Sequence, residues 1–223
     1  MKGNSRRATT ESGFTLVEIA IVLVIIGLLL GGILKGQEMI TQAKIKNVIN
    51  DFNGVTAAVN SYQDRYRALP GDDFNAASRW AGAQSGNGNG QFDNPACAYN
   101  DVPAAPPAMH ECNLFWWHLR LGGFVAGSVT AAAVSGLQPP NATNGIIGVQ
   151  TQGMGYTSNI VCTSNLPDKI AIAVDTQMDD GTPGAGEIRG TLQGAPSPSV
   201  PVASSATPYA ETGQNQYLLC KNL

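Results

Sequence analysis

Few side chains in this 223-residue chain have types that could do chemistry, and they fall into two groups. The first group could form disulfides or bind a soft metal, and consists of Cys97, Cys112, Cys162, Cys220, His110 and His118. The second group could bind a hard cation such as Ca²⁺, and consists of Asp175, Asp179, Asp180 and Glu187. These types allow disulfide formation, metal binding or acid–base chemistry.

Catalysis finds little support in the spacing of these residues. The sequence contains no nucleophile elbow, no phosphate-binding loop and no HExxH motif. His110 and His118 flank a pair of tryptophans on an apparent helix, which is typical of partly buried structural histidines. The adjacent acids Asp72 and Asp73 have the types found at the start of a helix. We therefore expect a protein that is not an enzyme.

The second group only partly fits the register of a calcium loop. With Thr176 as the first position, Asp180, Gly181 and Glu187 fall at the fifth, sixth and twelfth positions, but Thr176 and Met178 replace expected acids. A plain β-turn at Asp180-Gly181 is the alternative. Residues 85–93, SGNGNGQFD, imitate the same loop with a single acid, and the alternative there is a Gly/Asn-rich loop.

The cysteines match no C-x-x-C pair, which argues against zinc. The number of cysteines is even, and all four come after the long apolar stretch described next. In an oxidising compartment such a count predicts two disulfides, with three pairings open.

The elements that position these residues begin with an apolar run. Ile19–Leu34 has neither a charged nor a polar side chain, and Phe14–Leu34 is long enough, about 31 Å as a helix, to span a bilayer. A secretory signal peptide fits less well, because its apolar region is shorter and ends at a small-residue cleavage site. Basic residues at positions 2, 6 and 7 predict a cytoplasmic amino terminus. The formal charge of −3 argues against nucleic-acid binding.

Glu18 is unexpected near the start of this run, because an ionised carboxylate in lipid is costly unless it is paired. It could stay hydrated at the membrane interface. It could also pair with a cation, and a cut between Gly13 and Phe14 would create an α-amino group one helical turn away.

The order Gly13-Phe14-Thr15-Leu16-Val17-Glu18 followed by an apolar run resembles the leader-peptidase site of type IV prepilins and type II secretion pseudopilins. The resemblance covers Gly13 to about Leu34. It implies cleavage after Gly13 and N-methylation of Phe14 by prepilin peptidase. It also implies pairing of Glu18 with the Phe14 amine of a neighbouring subunit. Cleavage would remove three basic residues and one acidic residue, which changes the formal charge from −3 to −5.

The implied partners are other pilin or pseudopilin subunits, prepilin peptidase, and an inner-membrane assembly platform with its ATPase. Major pseudopilins bind calcium, which favours the cation site slightly. Many major pilins have a proline where this chain has Lys35, which favours a minor or pseudopilin-type subunit. The favoured disulfide pairing is Cys97–Cys112 with Cys162–Cys220, the second resembling the carboxy-terminal disulfide loop of many pilins.

After Lys35 the sequence becomes amphipathic. Apolar residues recur every three or four positions: Ile45, Val48, Ile49, Phe52, Val55, Val59, Tyr62 and Tyr66. The pattern stops at Leu69-Pro70-Gly71, which predicts one helix from about Thr15 to Arg67. Gly27, Gly31, Gly32 and Gly36 favour close helix packing, with local unwinding as the alternative.

The remaining chain predicts a short helix over 113–124 and five short strands. The strand candidates are Ile146–Gln150, Tyr156–Cys162, Ile170–Val174, Glu187–Leu192 and Gln216–Cys220. The expected fold is α+β, a long amino-terminal helix packed against a small antiparallel sheet. The expected division is 1–13 leader, 14–35 membrane and polymerisation helix, 36–69 amphipathic continuation and 70–223 periplasmic or extracellular head.

The sequence therefore predicts a subunit of a pilus-like or pseudopilus filament, anchored by one helix in the bacterial inner membrane. The alternative is an uncleaved, membrane-anchored periplasmic binding domain that does not polymerise.

Overall fold

The computed structural model describes residues 15–93, 97–104, 109–130 and 132–223. The chain divides into two units, Met1–Gln42 and Ala43–Leu223. The elements are helices α1 (Leu16–Tyr66), α2 (Ala76–Arg79), α3 (Glu111–Leu121), α4 (Ala132–Ser135) and α5 (Asp168–Met178), and strands β1 (Ile147–Gly153), β2 (Tyr156–Pro167), β3 (Ile188–Leu192) and β4 (Gln216–Asn222).

Helix α1 contributes residues to both units and has 51 residues, about 76 Å at 1.5 Å per residue. It passes Gly27, Gly31 and Gly32 as continuous helix. It ends where Arg67 takes a left-handed conformation with φ 54°, shortly before Pro70. The predicted helix and its end are therefore found within about one residue.

In the second unit, the apolar stripe of α1 lies in the main core. Its buried members are Ile45, Val48, Phe52, Val55, Ala58, Val59 and Tyr62. They pack in one cluster with α3, with α5 and with the inner face of the sheet. This stripe supplies the helical side of the core.

The sheet has four strands in the order β1-β2-β4-β3, and every neighbouring pair is antiparallel. The β1–β2 connection turns through Met154 and Gly155, both at positive φ. Four of the five strand candidates lie on these strands. A long amino-terminal helix with a small antiparallel sheet is the predicted α+β, pilin-like fold.

The strand predicted at Ile170–Val174 is wrong, because these residues lie in α5. Ile170, Ala171 and Val174 are buried at positions i, i+1 and i+4, which is one face of a helix. A five-residue apolar run fits either element, and Asp168 in the first turn, directly after Pro167, is the signal for a helix start.

Helix α3 is buried on two faces and ends at Leu121, with Gly122 as its C-cap. Leu114 and Trp117 pack with Met109 in a small cluster, and Phe115 and Trp116 face the main core. The helix was predicted at 113–124. Burial on both faces makes it a central element of the second unit.

Candidate functional site

The first turn of α1 is closed by a reciprocal pair of hydrogen bonds between Thr15 and Glu18. The backbone N–H and the hydroxyl of Thr15 each donate to Glu18 Oε2 at 2.8 Å. The Glu18 N–H donates to Thr15 Oγ1 at 3.3 Å. This is a capping box, in which two side chains satisfy backbone groups that the helix start leaves unpaired. Glu18 therefore has a partner within its own chain.

The first part of α1, from Leu16 to Leu34, exposes its large apolar side chains. In the first unit, Leu16 is 87% exposed and Leu28 is 73% exposed, and the apolar residues between them are also exposed. The helix is long and apolar enough to cross a membrane, and its most apolar 18-residue window has no buried residue. So long a run of exposed apolar residues requires cover by lipid or protein. Gly13 and Phe14 lie outside the described residues.

Three of the four acids proposed for calcium are brought together at the end of α5. Asp175, Asp179 and Asp180 place carboxylate oxygens within 4.8 Å of one another. Glu187 is exposed and is not part of this group. Carboxylates at this separation repel one another, so a divalent cation would relieve the repulsion.

Each of the three carboxylates also has a hydrogen-bond donor in the chain. Asp175 accepts from the Tyr209 hydroxyl at 2.5 Å and from the Gly181 N–H at 3.1 Å. Asp179 accepts from the N–H of Ile188 at 2.9 Å, and Asp180 from that of Thr182 at 2.8 Å. Burial raises the pKa of Asp175, and the neighbouring carboxylates add to the shift. The group combines a β-turn with a carboxylate cluster.

The Gly/Asn-rich loop at 85–93 wraps two buried acids from other segments. Asp72 accepts from the N–H of Gly88 at 2.6 Å and of Gly90 at 2.5 Å. Glu111 accepts from the N–H of Asn87 at 3.0 Å and of Asp93 at 2.9 Å. The loop therefore turns its backbone donors toward carboxylates, an arrangement that favours anions over a metal ion.

Asp73 lies three residues before α2 and its Oδ1 accepts the Asn75 N–H at 2.9 Å, as at a helix start, but Asp72 and Asp73 also bond to groups outside that segment. Both are buried. Asp73 accepts the Tyr62 hydroxyl at 2.6 Å and pairs with Arg79. The residue before α2 is Asn75, whose side chain makes no cap. Adjacent acids on a short polar segment gave no sign that the segment would be covered.

The two histidines have different environments. His118 is fully buried, accepts the Gly71 N–H at Nδ1 (3.0 Å) and donates from Nε2 to the Gln84 carbonyl (2.8 Å). Burial lowers the pKa of His118 to about 4, so it is neutral at pH 7. His110 is half-buried, and its Nδ1 lies 2.8 Å from Asp101 Oδ2. His118 fits the structural role expected of it.

The four cysteines form two pairs of different kind. Cys162 on β2 lies opposite Cys220 on β4, and the two form a disulfide. Cys97 and Cys112 are free thiols whose sulfurs lie within 4.8 Å of each other and of an Asp101 oxygen. The structure thus places the cysteines of both favoured pairs close together. It contains the Cys162–Cys220 disulfide, and the Cys97–Cys112 bond stays a prediction.

Comparison with protein families bears on the amino-terminal segment. Residues 9–34 match the family model described as the prokaryotic N-terminal methylation motif. This is the prepilin-type motif, and it implies processing by prepilin peptidase. A comparison with curated proteins finds no match to the chain. The resemblance at Gly13–Leu34 is confirmed, and the motif points to a structural protein with a membrane anchor.

Two features of the site went unrecognised in the sequence. The capping box has a clear signal, since Thr15 and Glu18 are three residues apart immediately before an apolar run. The wrapped carboxylates have none, because Asp72 and Glu111 are far from each other in sequence and the 85–93 loop looked like a weak cation loop.

Proposed function

We propose that this protein is a structural subunit of a type IV pilus-like or type II secretion filament. The observation that carries the proposal is the prepilin-type motif leading directly into a helix with an exposed apolar first segment. Neighbouring subunits would cover that segment in the filament, and lipid would cover it before assembly. The Ala43–Leu223 unit has its own packed core and would be displayed by the polymer.

The proposed maturation is cleavage after Gly13 and methylation of the new Phe14 amine. The protein would then span the inner membrane once, with its amino terminus in the cytoplasm and the second unit in the periplasm or on an extracellular filament. The assembly platform and its ATPase would supply the work.

Mass spectrometry of the protein from its native membrane tests this maturation. We expect a mature chain that begins with N-methylated Phe14, and a Gly13→Leu variant that retains residues 1–13. An intact leader on the wild-type protein would instead support the uncleaved membrane-anchored binding domain.

Glu18 is proposed to pair with the Phe14 amine of a neighbouring subunit, and the capping box makes this testable. Gln can replace Glu in a capping box, so Glu18→Gln removes the charge and keeps the cap. Thr15→Val removes the cap hydroxyl and keeps the charge. We expect Glu18→Gln to insert into the membrane but fail to enter filaments, and Thr15→Val to assemble. Normal filaments from Glu18→Gln would refute the pairing.

We also propose that the Asp175, Asp179 and Asp180 group binds Ca²⁺, with Glu187 outside it. Modules of this kind bind Ca²⁺ with dissociation constants of about 0.1–1 mM. Calorimetry on the full-length protein in detergent should detect binding in wild type and in Glu187→Gln, and none in Asp180→Asn. No heat and no change in melting temperature at about 1 mM Ca²⁺ would rule the site out.

A further inference from the structure

The two free thiols are held at the start of α3 by several contacts between the 97–104 segment and the helix. The Cys112 N–H donates to Cys97 Sγ at 3.0 Å. Asp101 Oδ2 contacts His110 Nδ1 at 2.8 Å, and the Asn113 amide donates to the Asp101 carbonyl at 2.9 Å. These contacts fix both sulfurs close together before any bond forms between them.

The two sulfurs differ in access. Cys112 is 1% exposed, and Cys97 is only partly buried. Burial raises the pKa of the Cys112 thiol, and the adjacent Cys97 and Asp101 raise it further. The thiolate is the form that attacks a disulfide, so Cys112 is a poor first nucleophile, and Cys97, the less buried residue, is better placed to meet an external reagent.

We propose that Cys97 and Cys112 are an ordered thiol–disulfide exchange pair, in which Cys97 reacts first with an external disulfide and Cys112 then closes the intramolecular bond. The sequence predicted only the bonded product. The inference concerns the route, and it does not depend on the filament function.

In the first step, the Cys97 thiolate attacks one sulfur of an external disulfide R–S–S–R. A Cys97–S–S–R bond forms, the R–S–S–R bond breaks, and one thiolate RS⁻ leaves. In the second step, the Cys112 thiol gives its proton to the Asp101 carboxylate, which passes it to solvent, and the Cys112 sulfur attacks Cys97 Sγ. The Cys97–Cys112 bond forms, the bond between Cys97 Sγ and the R–S sulfur breaks, and a second RS⁻ leaves. Two protein thiols are oxidised, and one external disulfide is reduced to two thiols.

Asp101 suits the role of proton acceptor because of its position. Its carboxylate has an oxygen within 4.8 Å of both sulfurs. The Ala98 N–H donates to Oδ2 at 3.0 Å, which helps to hold the carboxylate in place. The Cys162–Cys220 disulfide is fully buried on the sheet, with no comparable route for a reagent.

The experiment uses the full-length protein in detergent, with Cys97 and Cys112 reduced, oxidised glutathione as the probe and intact mass as the readout. We expect wild type to become an intramolecular disulfide without retaining glutathione. Cys112→Ser should retain one glutathione on Cys97, and Cys97→Ser should retain none over the same time. Asp101→Asn should accumulate the Cys97–glutathione intermediate, because the second step is slowed and the first is not.

Four results would overturn the proposal. The first two are equal rates of glutathione modification in Cys97→Ser and Cys112→Ser, and a wild-type pair that stays reduced. The third is an Asp101→Asn variant that forms the Cys97–Cys112 bond as fast as wild type. The fourth is a zinc ion that stays bound in the presence of a chelator and protects both thiols from modification. The near-ultraviolet circular dichroism of each variant checks that it is folded. If a serine variant unfolds, the order is read from wild type alone, by peptide mapping of the transient mixed disulfide, which must lie on Cys97.

Discussion

Helix α1 carries two apolar segments whose side chains meet different surroundings. From Leu16 to Leu34 the large apolar residues are exposed around the whole helix. From Ile45 to Tyr62 they recur every three or four residues and are buried in the core of the second unit. Both segments are helical, so the difference lies in what covers them.

The two segments also differ in how their apolar residues are distributed around the helix. An amphipathic stripe commits one face to a surface of the same chain and leaves polar residues for water on the other. A segment that is apolar on every side has no face for water, so its cover comes from lipid or from other chains. The distribution of apolar residues around a helix therefore indicates whether it packs within its own chain or against lipid and other chains.

A matched pair of truncations gives the strongest test of this comparison. Phe52 is 1% exposed in the core, and Leu29 is 61% exposed in the first segment. We expect Phe52→Ala to lower the free energy of unfolding of the second unit by about 3–5 kcal/mol, because it leaves a cavity. Leu29→Ala should change it by less than about 0.5 kcal/mol.

Denaturant unfolding of the full-length protein in detergent measures both effects. The three tryptophans, Trp80, Trp116 and Trp117, all lie in the second unit, so their fluorescence reports that unit alone. A Leu29→Ala variant as destabilised as Phe52→Ala would show that the first segment also supports the folded head.

Acid should weaken the covered segment through His118, whose ring lies parallel to that of Tyr62 on α1 with centroids 6.4 Å apart. The pKa of His118 is about 4 in the folded protein and about 6.5 when unfolded. The neutral ring therefore contributes stability that is complete above pH 6.5 and is lost as the pH falls through 4. The full loss is about 3 kcal/mol.

A His118→Gln variant isolates this contribution, because the amide cannot titrate. We expect its free energy of unfolding to fall less than that of wild type between pH 6.5 and 4. The other ionisable groups are the same in both proteins, so the difference between the two pH profiles belongs to His118. Parallel pH profiles for the two proteins would assign the acid sensitivity to groups other than His118.

The parts of the fold that sequence predicts are those with long, regular patterns. The two segments of α1 and its end near Pro70 follow from apolar spacing and one proline, over 51 residues. The Ile170–Val174 run failed because five residues do not separate a strand from a helix face. Its neighbours Pro167 and Asp168 decided the outcome.

The features of the candidate site also divide into those that depend on consecutive residues and those that depend on contacts between distant residues. The methylation motif is local, so its recognition needed only consecutive residues. The partners of Asp72 and Asp73 depend on a loop and a helix elsewhere in the chain, and residue types could not supply them. Glu18 lies between these cases: its spacing of three residues from Thr15 predicts the capping box, whereas its pairing with a neighbouring subunit is a proposal.

The smallest effect concerns the start of the exposed segment. Removing a capping side chain costs about 1 kcal/mol of local helix stability. Thr15→Val should therefore speed amide hydrogen exchange in the first turn of α1 by about fivefold, since 1.4 kcal/mol is a factor of ten. Glu18→Gln should change exchange less, because Gln retains the reciprocal bond.

The same exchange measurement at Ile45–Tyr62 provides the internal control. Those amides lie in the packed core, so neither substitution should alter them. If Thr15→Val also accelerated exchange there, the first turn would be coupled to the core along α1, and the two segments could no longer be treated as independent. Faster amide exchange in the first turn with unchanged exchange at Ile45–Tyr62 would show that the cap stabilises only the exposed segment of α1, which other molecules must cover.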